Sequence, residues 1–198
     1  MPTGIAALIV TLQPILTNAL AGKLLGEKVT FKQWAGVMLG FFGAALVLGF
    51  DIGTSLPIIG VMTSFIALLA ITTSTLWQKK IGANLPLSVS NMYQAIGGCL
   101  FHLIIIIIFT DPYINFTSTF LIAMSHQIFL VSFGAFTILM FLIKNNSASK
   151  TVSIFFLIPP TTAIMAWLFL NEVLTNLDLI GFAVATFGVY IATRRNKI

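Results

Sequence analysis

Residues 157–172 read LIPPTTAIMAWLFLNE, and residues 12–27 read LQPILTNALAGKLLGE. Laid over one another at an offset of 145 positions, they pair Leu12 with Leu157, Pro14 with Pro159, Thr17 with Thr162, Ala21 with Ala166, Leu25 with Leu170 and Glu27 with Glu172. The offset carries on: Thr30 falls on Thr175, and Gly36, Phe42 and Gly43 fall on Gly181, Phe187 and Gly188. In a chain that is 58% hydrophobic, apolar matches arise by chance. A proline, a glutamate, threonines and glycines that keep their spacing do not, so a pair of elements has been duplicated.

Those elements are membrane-spanning helices. Crossing a hydrocarbon core of about 30 Å takes roughly 20 mostly apolar residues. Seven stretches qualify: Gly4 to Leu24, Gln33 to Phe50, Pro57 to Trp77, Leu87 to Phe109, Ser118 to Ile143, Thr151 to Leu170, and Leu177 to Ala192. Turn formers fill the short connections, as in Asp51-Ile52-Gly53, Ile81-Gly82-Ala83-Asn84 and Thr110-Asp111-Pro112. Only 8% of the 198 residues are charged, against about a quarter in a soluble domain whose surface must face water. The expected fold is all-α, a polytopic bundle of about seven transmembrane helices.

The charges test this count. Lys23, Lys28 and Lys32 lie in or beside the first connection, Lys79 and Lys80 follow the third span, Lys144 and Lys150 flank the fifth connection, and Arg194, Arg195 and Lys197 end the chain. In a seven-span topology all of them fall on one side. The opposite connections carry Asp51, Asp111, Glu172 and Asp178 and no basic residue. The positive-inside rule makes the basic side cytoplasmic, so the N-terminus is expected outside and the C-terminus in the cytoplasm. The net charge of +5 is thus a topology signal, and no nucleic-acid partner is expected. The first apolar stretch has no positive n-region and is too long for a signal peptide, so it reads as a retained span. Cys99 is the single cysteine, which excludes an intrachain disulfide or a thiolate metal cluster. No cofactor or metal is expected.

Five spans separate equivalent points of the duplicated pair, so the copies are inverted across the membrane. Secondary transporters share this arrangement, with interrupted helices in equivalent positions placing the binding site near the midplane. Pro14 and Pro159-Pro160 sit about ten residues from either end of their spans, and a helix-interior proline frees the carbonyl four residues earlier: Val10, and Phe155 and Phe156. Such breaks persist where protein or water satisfies the freed groups. Two readings stand, a substrate site between the first and sixth spans or a kink packed by neighbouring Ser and Thr.

The segment Pro159 to Glu172 with Gly181 and Gly188 resembles the second EamA-type repeat of the drug/metabolite transporter superfamily, and Pro14 to Glu27 with Gly36 and Gly43 resembles the end of the first. The resemblance covers essentially the whole chain. It implies part of a ten-helix inverted-repeat transporter fold that begins at the fourth span, with residues 1–50 as the C-terminal part of the first repeat (two helices) and residues 57–195 as the second (five helices). It also implies a multi-pass protein of the bacterial inner membrane that moves small metabolites, amino acids or related compounds, by alternating access. The alternative is a truncated, non-transporting remnant, or a subunit needing a separately encoded N-terminal part. The partners expected are a small-molecule substrate, the lipid bilayer, and a second copy or that N-terminal fragment.

The candidate substrate-binding residues are Gln13, Pro14, Thr17 and Asn18 on the first span, Thr73 and Trp77 on the third, Thr137 on the fifth, and Pro159 and Thr162 on the sixth. Thr72, Ser74, Gln78, Ser132, Thr161 and Trp167 could also line a cavity, while Trp77 beside Lys79-Lys80 suits an interfacial anchor. Glu27 and Glu172 sit at helix ends and read as structural loop residues rather than proton carriers. Thr30 to Gln33 and Thr175 to Asp178 read as helix caps. Gly36-Val37-Met38-Leu39-Gly40 is a GxxxG, equally suited to packing within the chain and to dimerisation. His102 is an intramembrane ionisable group, expected to be neutral and bonded to a neighbouring helix. Asn115-Phe116-Thr117 is a formal sequon for which no role is expected.

A seven-span receptor or light-driven pump does not fit, since no lysine lies mid-span for a retinal and one cysteine cannot form an extracellular disulfide. No H-E-x-x-H, G-x-S-x-G or membrane-depth carboxylate pair is present, so an enzyme is not expected.

Overall fold

Apolar stretches of this length satisfy their backbone polar groups internally only as helices, and in the computed structural model helices joined by short turns and coil, with no strand, make up the described residues, 3–49, 58–82, 84–109, 113–170 and 173–194. Asp51, Asp111, Pro112, Glu172, Arg195 and Lys197, together with the edges of the second and third spans at Phe50 and Pro57, lie outside them. Seven helices are long and apolar enough to cross a membrane: Ile5–Leu25, Phe31–Leu48, Ile58–Gly82, Leu87–Phe109, Ser118–Asn145, Ala148–Phe169 and Asn176–Thr193. All seven expected spans are present. The sixth begins at Ala148 rather than Thr151.

Several spans are interrupted. The first is α1 (Thr3–Val10) and α2 (Gln13–Leu25). The second and third are α3 (Phe31–Leu48) and α4 (Ile58–Gly82), and the fourth is α5 (Leu87–Phe109). The fifth is α6 (Ser118–Ser125), a π-helical segment His126–Ala135, and α7 (Phe136–Asn145). The sixth is α8 (Ala148–Ser153), a 3-10 turn Ile154–Leu157, and α9 (Ile158–Leu170). The seventh is α10 (Asn176–Thr193).

Two compact units emerge, Met1–Trp77 with Asn146–Ile198, and Gln78–Asn145. The centre of the first is the crossing of α3 and α10. A Cβ on Gly36 would meet the Gly188 carbonyl at 2.6 Å and the Ala192 backbone nitrogen, and one on Gly43 would meet the Gly181 carbonyl at 2.7 Å and the Ala185 nitrogen. Reciprocally, Gly181 faces the Gly43 carbonyl at 2.7 Å, and Gly188 faces the Gly36 carbonyl at 2.7 Å. Rising numbers on α3 meet falling numbers on α10, so the helices run antiparallel. Under the offset of 145 each contact maps onto another, as in an isologous interface. The small residues therefore serve close packing inside the chain. Gly40 presents its backbone to Gly188 at the same crossing, while its own Cβ position is met by the Phe156 ring at 2.5 Å. Phe156, Val37, Ala44, Val189 and Ala192 are the buried apolar core beside this crossing.

Both crossing helices start identically. Thr30 accepts from the Gln33 amide at 3.3 Å while Gln33 Oε1 accepts from the Thr30 amide, and Thr175 and Asp178 repeat the pattern. Each capping box satisfies donors that the helix itself leaves free, stabilising the start by about 1 kcal/mol.

In the second unit α5 packs on α7. Asn91 donates to Thr137 Oγ1 at 3.2 Å, and Gln78 donates to Ser90 at 3.0 Å and accepts from Gln94. Lys79 Nζ donates to the Lys144 carbonyl at the end of α7 at 3.0 Å, and Lys144 Nζ to the Leu85 carbonyl in the turn before α5 at 2.7 Å.

Candidate functional site

Pro14 has no N–H to give and clashes with a continuing turn, and the first span breaks just before it. Thr11 and Leu12 form the turn between α1 and α2; the Leu12 amide reaches only back to the Ile9 carbonyl at 3.1 Å, and Thr11 Oγ1 donates to the Ala7 carbonyl at 2.6 Å. The sixth span meets Pro159-Pro160 in the same way. Its backbone tightens to a 3-10 turn over Ile154–Leu157, in which the Ile158 amide takes the Phe155 carbonyl that Pro159 leaves free. Thr161 and Thr162 donate their hydroxyls to Leu157 and Ile158 at 2.6 and 2.9 Å. The threonines beside each break thus bond carbonyls of their own span, and at the second break it is a backbone amide that takes up a carbonyl the proline frees.

Immediately after the first break, α2 buries an unusually polar face: Gln13, Pro14, Thr17, Asn18 and Ala21. Gln13 is 2% exposed and donates to Thr75 Oγ1 on α4 at 3.1 Å. Thr75 in turn donates to the Ile71 carbonyl at 2.9 Å. Thr17 and Asn18 are 0% and 3% exposed, yet among the described residues Thr17 Oγ1, Asn18 Oδ1 and Asn18 Nδ2 have no hydrogen-bond partner. An unsatisfied buried polar group costs about 1–3 kcal/mol. A chain keeping three such atoms on one turn of helix holds hydrogen-bonding capacity that its own fold does not use.

The nine residues singled out from sequence separate accordingly. Gln13, Pro14, Thr17 and Asn18 share the buried face of α2. On α4 the buried residues are Leu68, Thr72, Thr75, Leu76 and the terminal Gly82, whereas Thr73 is exposed and Trp77 is 62% exposed. Thr75 is therefore the α4 threonine that meets Gln13, a residue the sequence reading passes over. Pro159 is half-buried and Thr162 exposed on α9. Thr137 belongs to the second unit and accepts from Asn91 there.

Glu27 supplies a contact that sequence alone does not suggest. Its carboxylate accepts from the Ala148 amide at 2.6 Å, the Ser149 amide at 3.2 Å and Ser149 Oγ at 2.7 Å. It thereby caps the start of the sixth span across 121 residues of sequence and supports its structural assignment. His102 Nδ1 lies 2.7 Å from the Gly98 carbonyl of its own helix rather than meeting a neighbour. A second intramembrane histidine, His126, heads the π-helical segment. Among the described residues no cluster of His, Cys, Asp and Glu is spaced to hold a metal.

A profile of the EamA-like transporter family matches residues 1–49 and 58–194. The chain is 27% identical over 208 residues to a Bacillus subtilis (strain 168) protein named as an uncharacterized transporter, YvbV, covering 100% of this chain and 65% of that protein. A chloroplastic WAT1-related protein of Arabidopsis thaliana is 26% identical over 201 residues, covering 95% of this chain and 48% of its own length. The chain thus spans about half to two thirds of these relatives. A crystal structure superposes with a TM-score of 0.81 at 19% identity, covering 98% of this chain and 67% of that one, a likeness of fold.

Proposed function

The chain belongs to the EamA-like transporter family, and from that premise we propose that it carries a small metabolite, an amino acid or related compound, across the bacterial inner membrane by alternating access. A role in membrane transport is what the family and both relatives support. The observation carrying the finer reading is the pair Thr17 and Asn18, whose three buried polar atoms have no partner among the described residues, directly after a proline break. They form the core of the proposed substrate site, with Gln13 and Pro14 on α2 and Pro159 and Thr162 on the equivalent broken helix. Thr73 and Trp77 on α4 are its outer candidates.

Physical chemistry supports a polar rather than a charged group at this point. Asn18 offers a donor and an acceptor, Thr17 a hydroxyl, and no Asp, Glu, Lys or Arg lies between Thr3 and Gly22 to compensate a bare charge. The proposed orientation has the N-terminus outside and the C-terminus in the cytoplasm, supported by the segregation of Lys and Arg. A second copy of the chain is proposed as its partner.

The test is flux in proteoliposomes holding the full-length protein. Pro14→Ala restores a donor for the Val10 carbonyl and straightens α1 into α2, and Thr162→Val removes the hydroxyl at the second break. Each is expected to change flux about tenfold with insertion unchanged. Unaltered rates in both variants would remove the site from these helices.

A further inference from the structure

We infer that Glu27 is a latch closing one end of the transport path, and that the structure is the state open at the other end; this rests on the carrier reading above. The offset of 145 turns α8 into residues 3–8 of the first span, and the Thr17–Ala21 face of α2 into Thr162–Ala166 on α9. The pair α2 with α8 and the pair α9 with α1 are therefore two copies of one interface at opposite ends of the same two spans. In the structure they differ. α2 lies along α8, while among the described residues α1 and α9 make no comparable contact.

Burial follows the same division. Thr17, Ala21 and Val152 are buried, and their equivalents Thr162, Ala166 and Ala7 are exposed, half-buried and half-buried. One copy of the interface is sealed and the other is parted. An alternating carrier needs these two arrangements to exchange.

Glu27 holds the sealed copy shut. Three donors converge on one carboxylate, and two of them are first-turn amides that the helix cannot satisfy itself. The contact lies at the ends of both spans, beside Lys28 and Lys150, where water can replace it when it opens. Those lysines are on the side that charge assigns to the cytoplasm, so the open end faces outward. The prolines allow each half-helix to swing without breaking a hydrogen bond inside a regular turn.

The experiment uses matched single cysteines, Ala21→Cys and Ala166→Cys, in a Cys99→Ser background of the full-length protein. A membrane-impermeant methanethiosulfonate reagent is applied separately to each face. With Glu27 present, Ala166→Cys is expected to react from outside and Ala21→Cys from neither face. Glu27→Ala is expected to raise cytoplasmic reactivity at Ala21→Cys about tenfold and to lower external reactivity at Ala166→Cys, because the latch biases one two-state equilibrium. Glu27→Gln, which keeps one acceptor oxygen without the charge, is expected to fall between. Reactivity rising at both probes would mean a loosened fold, and no change at either would mean no latch; both outcomes overturn the inference and leave the carrier reading intact. Ala166→Cys unreactive from both faces with Glu27 present would remove the water-filled path, and with it both readings.

Discussion

Replacing Asn18 with leucine is expected to raise the stability of the protein while lowering substrate flux at least about tenfold. Stability and activity usually fall together when an interior residue is changed, so opposite signs are diagnostic. Asn18 is 3% exposed and both of its amide atoms lack a protein partner. Leucine branches at the same carbon and leaves no polar atom unsatisfied, so the fold gains up to about 1–3 kcal/mol, offset in part by its bulkier methyl groups. The substrate loses both a donor and an acceptor at the site, which costs flux by about the same energy in the other direction. Gln13→Leu is the contrasting variant: its amide is already bonded to Thr75, so that change is expected to lower stability by about 1 kcal/mol. Thermal unfolding in detergent and flux in proteoliposomes, measured on the same preparations, read both signs. An Asn18→Leu protein that is less stable and equally active would assign the amide to packing.

The second large effect is on folding itself. Gly43→Leu is expected to abolish recovery of folded protein from the membrane. A Cβ at this position would lie 2.7 Å from the Ala185 Cα and from the Gly181 carbonyl oxygen, all backbone atoms of α10 that no rotamer can move aside. Separating α3 from α10 would undo the crossing around which the first unit is packed, at a cost comparable to the about 5–15 kcal/mol that holds a domain folded. Gly40→Ala meets the Phe156 side chain at 2.5 Å, and a ring can turn, so about 1–3 kcal/mol is expected there. Gly97→Ala has nothing within 4 Å of the added carbon and is expected to be neutral or slightly stabilising. Size-exclusion profiles and thermal melts of the three variants check this order. Equal behaviour of Gly43→Leu and Gly97→Ala would show that the close crossing is not what holds the unit together.

What was legible in the sequence was local or strictly repeated. Span length, the capping boxes at Thr30 and Thr175 and the proline breaks at Pro14 and Pro159 each follow from a few neighbouring residues, and the structure carries all of them. Contacts between distant residues were not legible. The sixth span starts at Ala148 because Glu27, far away in the chain, supplies its missing acceptors, so the polar run Ser147 to Lys150 does not look helical by itself. On α4 the choice between Thr72 and Thr75 on one face and Thr73 and Trp77 on the other depends on where α2 lies. Amphipathic periodicity, the usual guide, is weak when lipid-facing and protein-facing sides are both apolar. The GxxxG of Gly36 and Gly40 left partner and helix undetermined for the same reason, and only the crossing with α10 assigns them. Nothing in the composition of the fifth span announces the π-helical segment from His126 to Ala135.

Every functional step above assumes that the two duplicated segments cross the membrane in opposite directions. Single cysteines at Lys28 and Val173, in a Cys99→Ser background, place a probe just beyond each copy of the duplicated glutamate. A membrane-impermeant maleimide is expected to label Val173→Cys in intact cells and Lys28→Cys only after permeabilisation. Labelling of both from the same face would contradict the inverted arrangement.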